Sequence, residues 1–422
     1  MRVTFEDWTQ GRPVSSLGTN AGAPELPFQR WRHFKEAFAP ELVARAIRES
    51  RIPVRRCADP FGGSGTTALA CQFLGVEPVT VEVNPFLADL IEAKLASYDV
   101  DLLRRDFSAL ITAANRKRPT PETFFATAPP TFVEPGIEQR WIFDYDVAAR
   151  VAAIVKSLNV VASDTNRRLL RVLLGGVLTD VSNVTVSGKG RRYRAGWRAR
   201  PRRSASDVDE AFRITVQKAV GDILRHANRP ESRYSVIRGD ARVLAHKLPP
   251  SDIAIFSPPY PNSFDYTDVY NIELWALGYL ANAGANTQLR HSTLSSHVQI
   301  KRDFPEPPSG SPLLNRTVRR LESVRPNLWN PYIPSMVGAY FADMLNVLGA
   351  VSATLPRRAQ LWLVVGDSRY SGVEVRVAEI LAQLSSQIGC EVIMREPCRS
   401  MRASAQQGRA ALSETLLVLA RA

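Results

Sequence analysis

"DPFGGSGTT", Asp59 to Thr67, stands between the strand-like "VRRCA" and the apolar run "ALACQFLGV". Glycine tolerates positive φ and lets the backbone approach a ligand, and a helix starting after the last glycine offers free amides there. The alternation then repeats, with "PVTVEVNP" as a second short strand and "PFLADLIEAKLASY" as a second amphipathic helix. Strands alternating with helices predict a parallel, doubly wound sheet, so the fold class is α/β.

On the N-terminal side, "HFKEAFAPELVARAIRES" carries a helix with Pro40 in its first turn and Leu42, Val43, Ala46 and Ile47 on one apolar face. Residues 1–25 are polar and contain Gly, Ser and Pro, which predicts an extended arm. Beyond the second helix the pattern breaks. Helical text fills roughly residues 100 to 230 and is interrupted by a Pro-rich loop and a basic loop. Strand-like text resumes at "YSVIRGDA" and "DIAIFSPPY", a loop-rich stretch covers 281–335, and the end returns to α/β with a helix from about Tyr340 to Ala353. The expected organisation is therefore 1–100 for an arm, a helix and the first half of the sheet, 101–230 for a helical insertion, and 231–422 for the second half.

The 422 residues, 45% of them hydrophobic, suffice for a large core. No uninterrupted run of eighteen apolar residues marks a membrane span, and the start has no apolar segment of the secretory kind. Cys57, Cys71, Cys390 and Cys398 have neither CxxC spacing nor clustered histidines, so reduced core thiols in a cytoplasmic protein, with no metal, are expected. The net charge of +13 favours a polyanionic partner, of which nucleic acid is the commonest.

The glycine turn lacks the lysine of a Walker loop. Glu82 stands seventeen residues beyond Gly65, at the end of the next strand, where a carboxylate holds both hydroxyls of a ribose. Dinucleotides and S-adenosylmethionine both satisfy that pattern. Asp59 would repel a pyrophosphate and attract the ammonium of a methionine moiety, which argues for the second. Asp240 ends a further strand, where it can accept from an adenine amino group. Singly, each acid is explained as well by a cap or turn.

"DPFGGSGTT", "VEVNP", "GDA" and "SPPY" together resemble the amino-methyltransferases that modify adenine N6 or cytosine N4 in bacterial DNA. The resemblance covers the N-terminal helix, the sheet and the C-terminal α/β part, and "PNSFDYTDVYNIELWALGYL" looks like an SPPY subgroup. It implies a Rossmann-like, S-adenosylmethionine-dependent methyltransferase sheet with a helical insertion. Cofactor contacts would come from Asp59, Phe61, Gly62, Gly63, Ser64, Gly65, Glu82 and Asp240, and catalysis from Ser257, Pro258, Pro259 and Tyr260. One departure is that the insertion precedes the "GDA" strand instead of following it.

An exocyclic base amine is a poor nucleophile because its lone pair is delocalised into the ring. Two acceptors, Ser257 Oγ and the Pro258 carbonyl, would turn the nitrogen towards tetrahedral geometry, held by stiff prolines, while Tyr260 stacks on the base. By resemblance, Ser at the first position favours cytosine N4, with adenine N6 as the alternative. The target lies inside a duplex, so the base would be flipped.

"SGKGRRYRAGWRARPRRS", residues 187–204, carries eight basic residues and no acid, so Lys189, Arg191, Arg192, Arg194 and Arg198 are candidates to track phosphates with Trp197 as a wedge. A solvated basic loop is the plain alternative, and 281–335 is the second candidate recognition region. The expected partners are double-stranded DNA and a cognate restriction endonuclease or defence-system protein, with no membrane. An RNA methyltransferase and a non-catalytic DNA-binding protein on the same fold are the competing readings.

Overall fold

In the sheet, successive residues alternate between two apolar layers. Cys57, Ile253, Ile255, Trp362 and Val364 enter one core, while Ala58, Ala254, Phe256, Leu361 and Leu363 enter the other. A sheet covered on both faces explains why these strands read as continuous apolar runs. The computed structural model describes residues 3–34, 36–187, 190–402 and 411–422. Its central strands are β1 Arg56–Asp59, β2 Glu77–Glu82, β3 Ser235–Arg238, β4 Ile253–Phe256, β5 Gln360–Gly366, β6 Cys390–Arg402 and β7 Ala411–Arg421. They lie in the order β3-β2-β1-β4-β5-β7-β6. The first five are mutually parallel, and β7 runs antiparallel to both β5 and β6. This is a Rossmann-like, doubly wound sheet, and its strand order reverses between β1 and β4, where ligands of open α/β sheets bind.

One face carries α1 Pro40–Arg48, α2 Thr66–Phe73 and α3 Pro85–Leu95; the other carries α8 Pro312–Ser323, α9 Ile333–Thr354 and α10 Val377–Leu384. Between α3 and β3 the chain inserts four longer helices. In chain order these are α4 Val100–Asn115, α5 Tyr145–Ser157, α6 Asp164–Leu178 and α7 Ala205–Arg225, with α6 packed on α3 and α7 on α5 and α6. By length and composition α9 is apolar enough to cross a membrane, but here most of it is buried against α8 and the sheet. It begins at Ile333, earlier than the sequence suggests, because Pro334 lies in the first turn, where no amide hydrogen is needed.

The first residues do not form a free arm. Trp8, on the short helix Phe5–Thr9, is fully buried, stacks on Phe73 of α2 at 4.7 Å and donates to the Pro27 carbonyl at 3.0 Å. A little further on, Asp222 of α7 accepts from Phe28 N, Trp31 Nε1 and Arg30 Nε at 3.0, 3.0 and 3.1 Å. Arg32 then pairs with the fully buried Glu273, Nε to Oε1 at 2.7 Å. The N-terminal segment thus ties the insertion to the strand ends.

Asp222→Ala would leave two buried donors, Phe28 N and Trp31 Nε1, without their acceptor. Removing one partner of such a buried, charge-assisted cluster costs about 3–5 kcal/mol. Urea unfolding should show that loss as a lower midpoint at unchanged slope; an unchanged midpoint would mean that the N-terminal segment is not held through Asp222.

Candidate active site

A cavity of about 350 Å³ opens at the carboxyl ends of β1 and β4. Phe61, Gly63, Glu82, Asp240, Ser257, Pro258, Pro259 and Tyr260 all line it, so the motifs that the sequence separates by up to two hundred residues converge. Asp59, Gly62, Ser64 and Gly65 are not in the lining; they build the turn from behind.

The turn is tight for steric reasons. Gly63 and Gly65 have φ of +53° and +78°. A side chain on Gly62 would collide with Thr80 Cγ2 and come within 2.8 Å of Ile91 Cδ1, so the loop lies flat on β2 and α3. Gly62 N donates to the Val81 carbonyl at 3.0 Å, and Gly65 caps α2. Asp59 Oδ1 accepts from Phe61 N at 2.9 Å. Glu82 spans the loop from β2, accepting from Gly63 N at 2.7 Å and from Asn84 N at 2.7 Å. Burial is the main reason that both carboxyls titrate far above the ordinary range, each pushed up to about 7. Asp240 is differently placed. It caps the short helix Ala241–Leu244 through Arg242 N and is ion-paired with the Arg242 guanidinium at 2.7 Å.

Underneath the loop lies a group the sequence reading missed. Lys94 of α3 is fully buried and donates to the Ser64 carbonyl at 2.6 Å and to Gln29 Oε1 at 2.8 Å. Burial lowers its pKa to about 7. In sequence it is simply the lysine in the last turn of an amphipathic helix, and nothing local distinguishes it.

At the end of β4, Ser257 Oγ donates to the Val364 carbonyl of β5 at 2.9 Å. The Tyr260 hydroxyl lies 3.3 Å from Ser257 Oγ and donates to Glu414 Oε1 of β7 at 3.0 Å. Arg399 of β6 donates through Nε to Glu414 Oε2 at 2.7 Å. Glu414 and Arg399 were not legible as site residues. They reach the cavity because the start of β7 pairs with the end of β5, Glu414 opposite Gly366, and Arg399 pairs with Glu414. The remaining walls are Phe34, stacked on Tyr270 at 5.3 Å, with Glu36 and Phe38 beside them, and the segment from Ser292 to His297.

The basic stretch begins as a β-hairpin, Val184–Ser187 with Gly190–Tyr193, where a loop was expected; the alternating β-branched "VTV" favours a strand. Lys189 lies outside the described residues. Several of the other candidates have partners within the chain. Arg191 is ion-paired with Asp268 at 3.1 Å, and Arg194 donates to the Thr179 carbonyl at 2.8 Å. Arg198 donates to the Gln139 carbonyl at 3.1 Å. Trp197 stacks on Tyr193 and meets Trp141 edge-on, both at 5.0 Å. Arg192 is exposed on the hairpin.

No family model matches the chain. The Type II methyltransferase M.AvaI of Nostoc sp. is 27% identical over 434 aligned positions, covering 94% of this chain and 86% of that protein, and M.AvaI of Anabaena variabilis gives the same figures. The Type II methyltransferase M.BsoBI of Geobacillus stearothermophilus is 22% identical, covering 99% of this chain and 90% of that one. Among solved structures, TrmN from Thermus thermophilus superimposes with a TM-score of only 0.28 at 9% identity, covering 91% of this chain and 49% of that one, and adds nothing to the strand order. The sequence likeness, by contrast, runs nearly end to end in both partners and is not confined to one motif, and it supports a bacterial DNA methyltransferase family for this chain.

Proposed function

We propose that the chain transfers a methyl group from S-adenosylmethionine to the exocyclic N4 of cytosine at a specific site in duplex DNA, in restriction–modification or phage defence. The observation that carries this reading is the orientation of Ser257. Its proton is committed to the Val364 carbonyl, so towards the cavity it is an acceptor. An acceptor is what an amine with two N–H groups requires, and it would be the wrong group for activating a carbonyl or holding a phosphate.

The cofactor's requirements match the residues present. Gly63 and Phe61 offer a flat, close backbone, and the buried carboxyl of Glu82 in the cavity wall, with that of Asp59 behind the turn, suits a cationic ligand bearing ribose hydroxyls. Asp240 would take the adenine amino group while remaining paired with Arg242. When bound, S-adenosylmethionine supplies an electrophilic methyl on a sulfonium. Ser257 Oγ and the Pro258 carbonyl would accept the two amine hydrogens and so localise the nitrogen lone pair for the new N–C bond. One N–H proton then leaves to solvent, and Tyr260 holds the ring of the flipped base. The insertion, 101–230, and the loop-rich segment 281–335 are the candidate regions for recognising DNA in this cytoplasmic enzyme.

Mass spectrometry of nucleosides, after labelled methyl transfer to unmodified genomic DNA, tests the assignment. N4-methylcytosine is expected. N6-methyladenine would keep the mechanism and overturn the base, and transfer only to RNA would overturn the substrate. Ser257→Ala should reduce transfer about 10²- to 10³-fold, the scale of losing one preorganised hydrogen-bonding group, at unchanged cofactor affinity.

Asp59 and Glu82 make cofactor binding pH-dependent. Both pKa values are raised to about 7, so below that pH the carboxyls are protonated, and a cationic ligand must expel their protons. Affinity should rise from about pH 6 to about pH 8 with proton release, read by calorimetry in buffers of different ionisation enthalpy. A flat profile would mean that both are already ionised in the free protein.

Arg192, exposed on the hairpin, is a candidate phosphate contact of the basic stretch. Arg192→Gln should lower the slope of log K against log salt by about one, whereas an unchanged slope would remove the hairpin from the DNA interface.

A further inference from the structure

Two hydroxyls meet beside the reacting position, and their protons decide what Ser257 can do. Ser257 Oγ and the Tyr260 hydroxyl are 3.3 Å apart, within reach of a hydrogen bond in either direction. If the phenol donated to Ser257, it would occupy a lone pair that the incoming amine needs. Instead the phenol proton goes to Glu414 Oε1 at 3.0 Å, while the serine proton goes to the Val364 carbonyl at 2.9 Å. Burial, and then the charge of Glu414, raise the Tyr260 pKa well above its usual value, so the phenol keeps a proton that must be placed somewhere.

Glu414 is built to receive it. Its side chain is 2% exposed, Arg399 donates to both of its oxygens at 2.7 and 3.2 Å, and the Gly18 backbone is packed against it so closely that a Cβ there would collide with Oε2. Neither Arg399 nor the peptide backbone of Gly18 competes with Tyr260 as a donor to Ser257.

We infer that Glu414 is a positioning residue for methyl transfer: by taking the Tyr260 proton it keeps Ser257 a pure acceptor for the base amine. The inference rests on the role proposed above for Ser257 and extends it to a side chain on β7.

The distinguishing variant is Glu414→Gln. An amide has one acceptor oxygen, and Arg399, which can only donate, claims it. The amide NH2 then faces Tyr260 and donates to the phenol oxygen, and the phenol proton is turned onto Ser257. Losing one acceptor at the reacting amine lowers kcat by about tenfold to a hundredfold. KM for DNA and the cofactor affinity measured by calorimetry stay as in the unmodified protein. Tyr260→Phe removes the misdirected proton while keeping a ring, so Glu414→Gln made on top of Tyr260→Phe costs no more than about twofold, a non-additivity that packing alone would not produce. If Glu414→Gln does not fold, Glu414→Asp, whose carboxylate falls one methylene short of the phenol, enters the same cycle with the same expectation.

An equal loss of kcat with and without the Tyr260 hydroxyl would overturn the inference and leave the assigned reaction standing. A protein that binds the cofactor but transfers no methyl to any nucleic acid would bring down the assigned reaction and this inference with it.

Discussion

The pairing of β1 with β4 is the contact on which the rest of the site depends. Cys57 lies opposite Ile253 and Ala58 opposite Ala254, and Asp252 clamps the register by accepting from Arg55 N and Arg56 N at 2.8 and 2.9 Å. Within two residues of this pairing each strand leaves the sheet, β1 after Asp59 into the glycine turn and β4 after Phe256 into Ser257-Pro-Pro-Tyr. Because parallel strands end on the same side, these two exits must open into one cleft. The insertion between α3 and β3 packs on α3 and none of its described residues contributes to the cavity lining, so the strand ends stay clear of it.

The N-terminal segment is the second constraint. Between Phe28 and Arg32 it touches α7 through Asp222, α3 through the Gln29–Lys94 bond and the helix after the tetrapeptide through Glu273. Lys94 in turn holds the Ser64 carbonyl, so the glycine turn is fastened from below by a buried amine that donates to two neutral oxygens, that carbonyl and Gln29 Oε1. A charge in that position is costly, and lowering its pKa is how the protein reduces the cost. The arrangement joins the glycine turn, the insertion and the segment after Ser257-Pro-Pro-Tyr through a few side chains.

The basic composition is only partly a surface property. Arg32, Arg45, Arg191, Arg242 and Arg399 are all held in ion pairs within the chain, with Glu273, Glu396, Asp268, Asp240 and Glu414, and the Arg32 pair is buried. Within the stretch 187–204, Arg191 anchors the hairpin beside the helix that follows Ser257-Pro-Pro-Tyr, and the aromatic residues pack on one another. Each such pair removes one cation and one anion, so the net charge of +13 survives the pairing, and the fold decides which cations are free to meet a partner.

Features carried by short-range chemistry could be read from the order of residues. Glycines at positive φ, acids at strand ends, prolines that stop β4 and alternating apolar residues all leave local patterns, and from them the parallel sheet, its cleft and the lining residues from Phe61 to Tyr260 were legible. Only the tertiary structure decided which distant groups complete the site. Lys94 and Glu414 look like ordinary residues of a helix and an edge hairpin until the sheet order brings them beneath Ser64 and beside Tyr260. The fate of the first residues was hidden for the same reason, since Trp8 is buried by Phe73, far along the chain on α2. Local propensity encodes elements and turns; the direction in which a serine's proton points depends on a carbonyl 107 residues further along the chain.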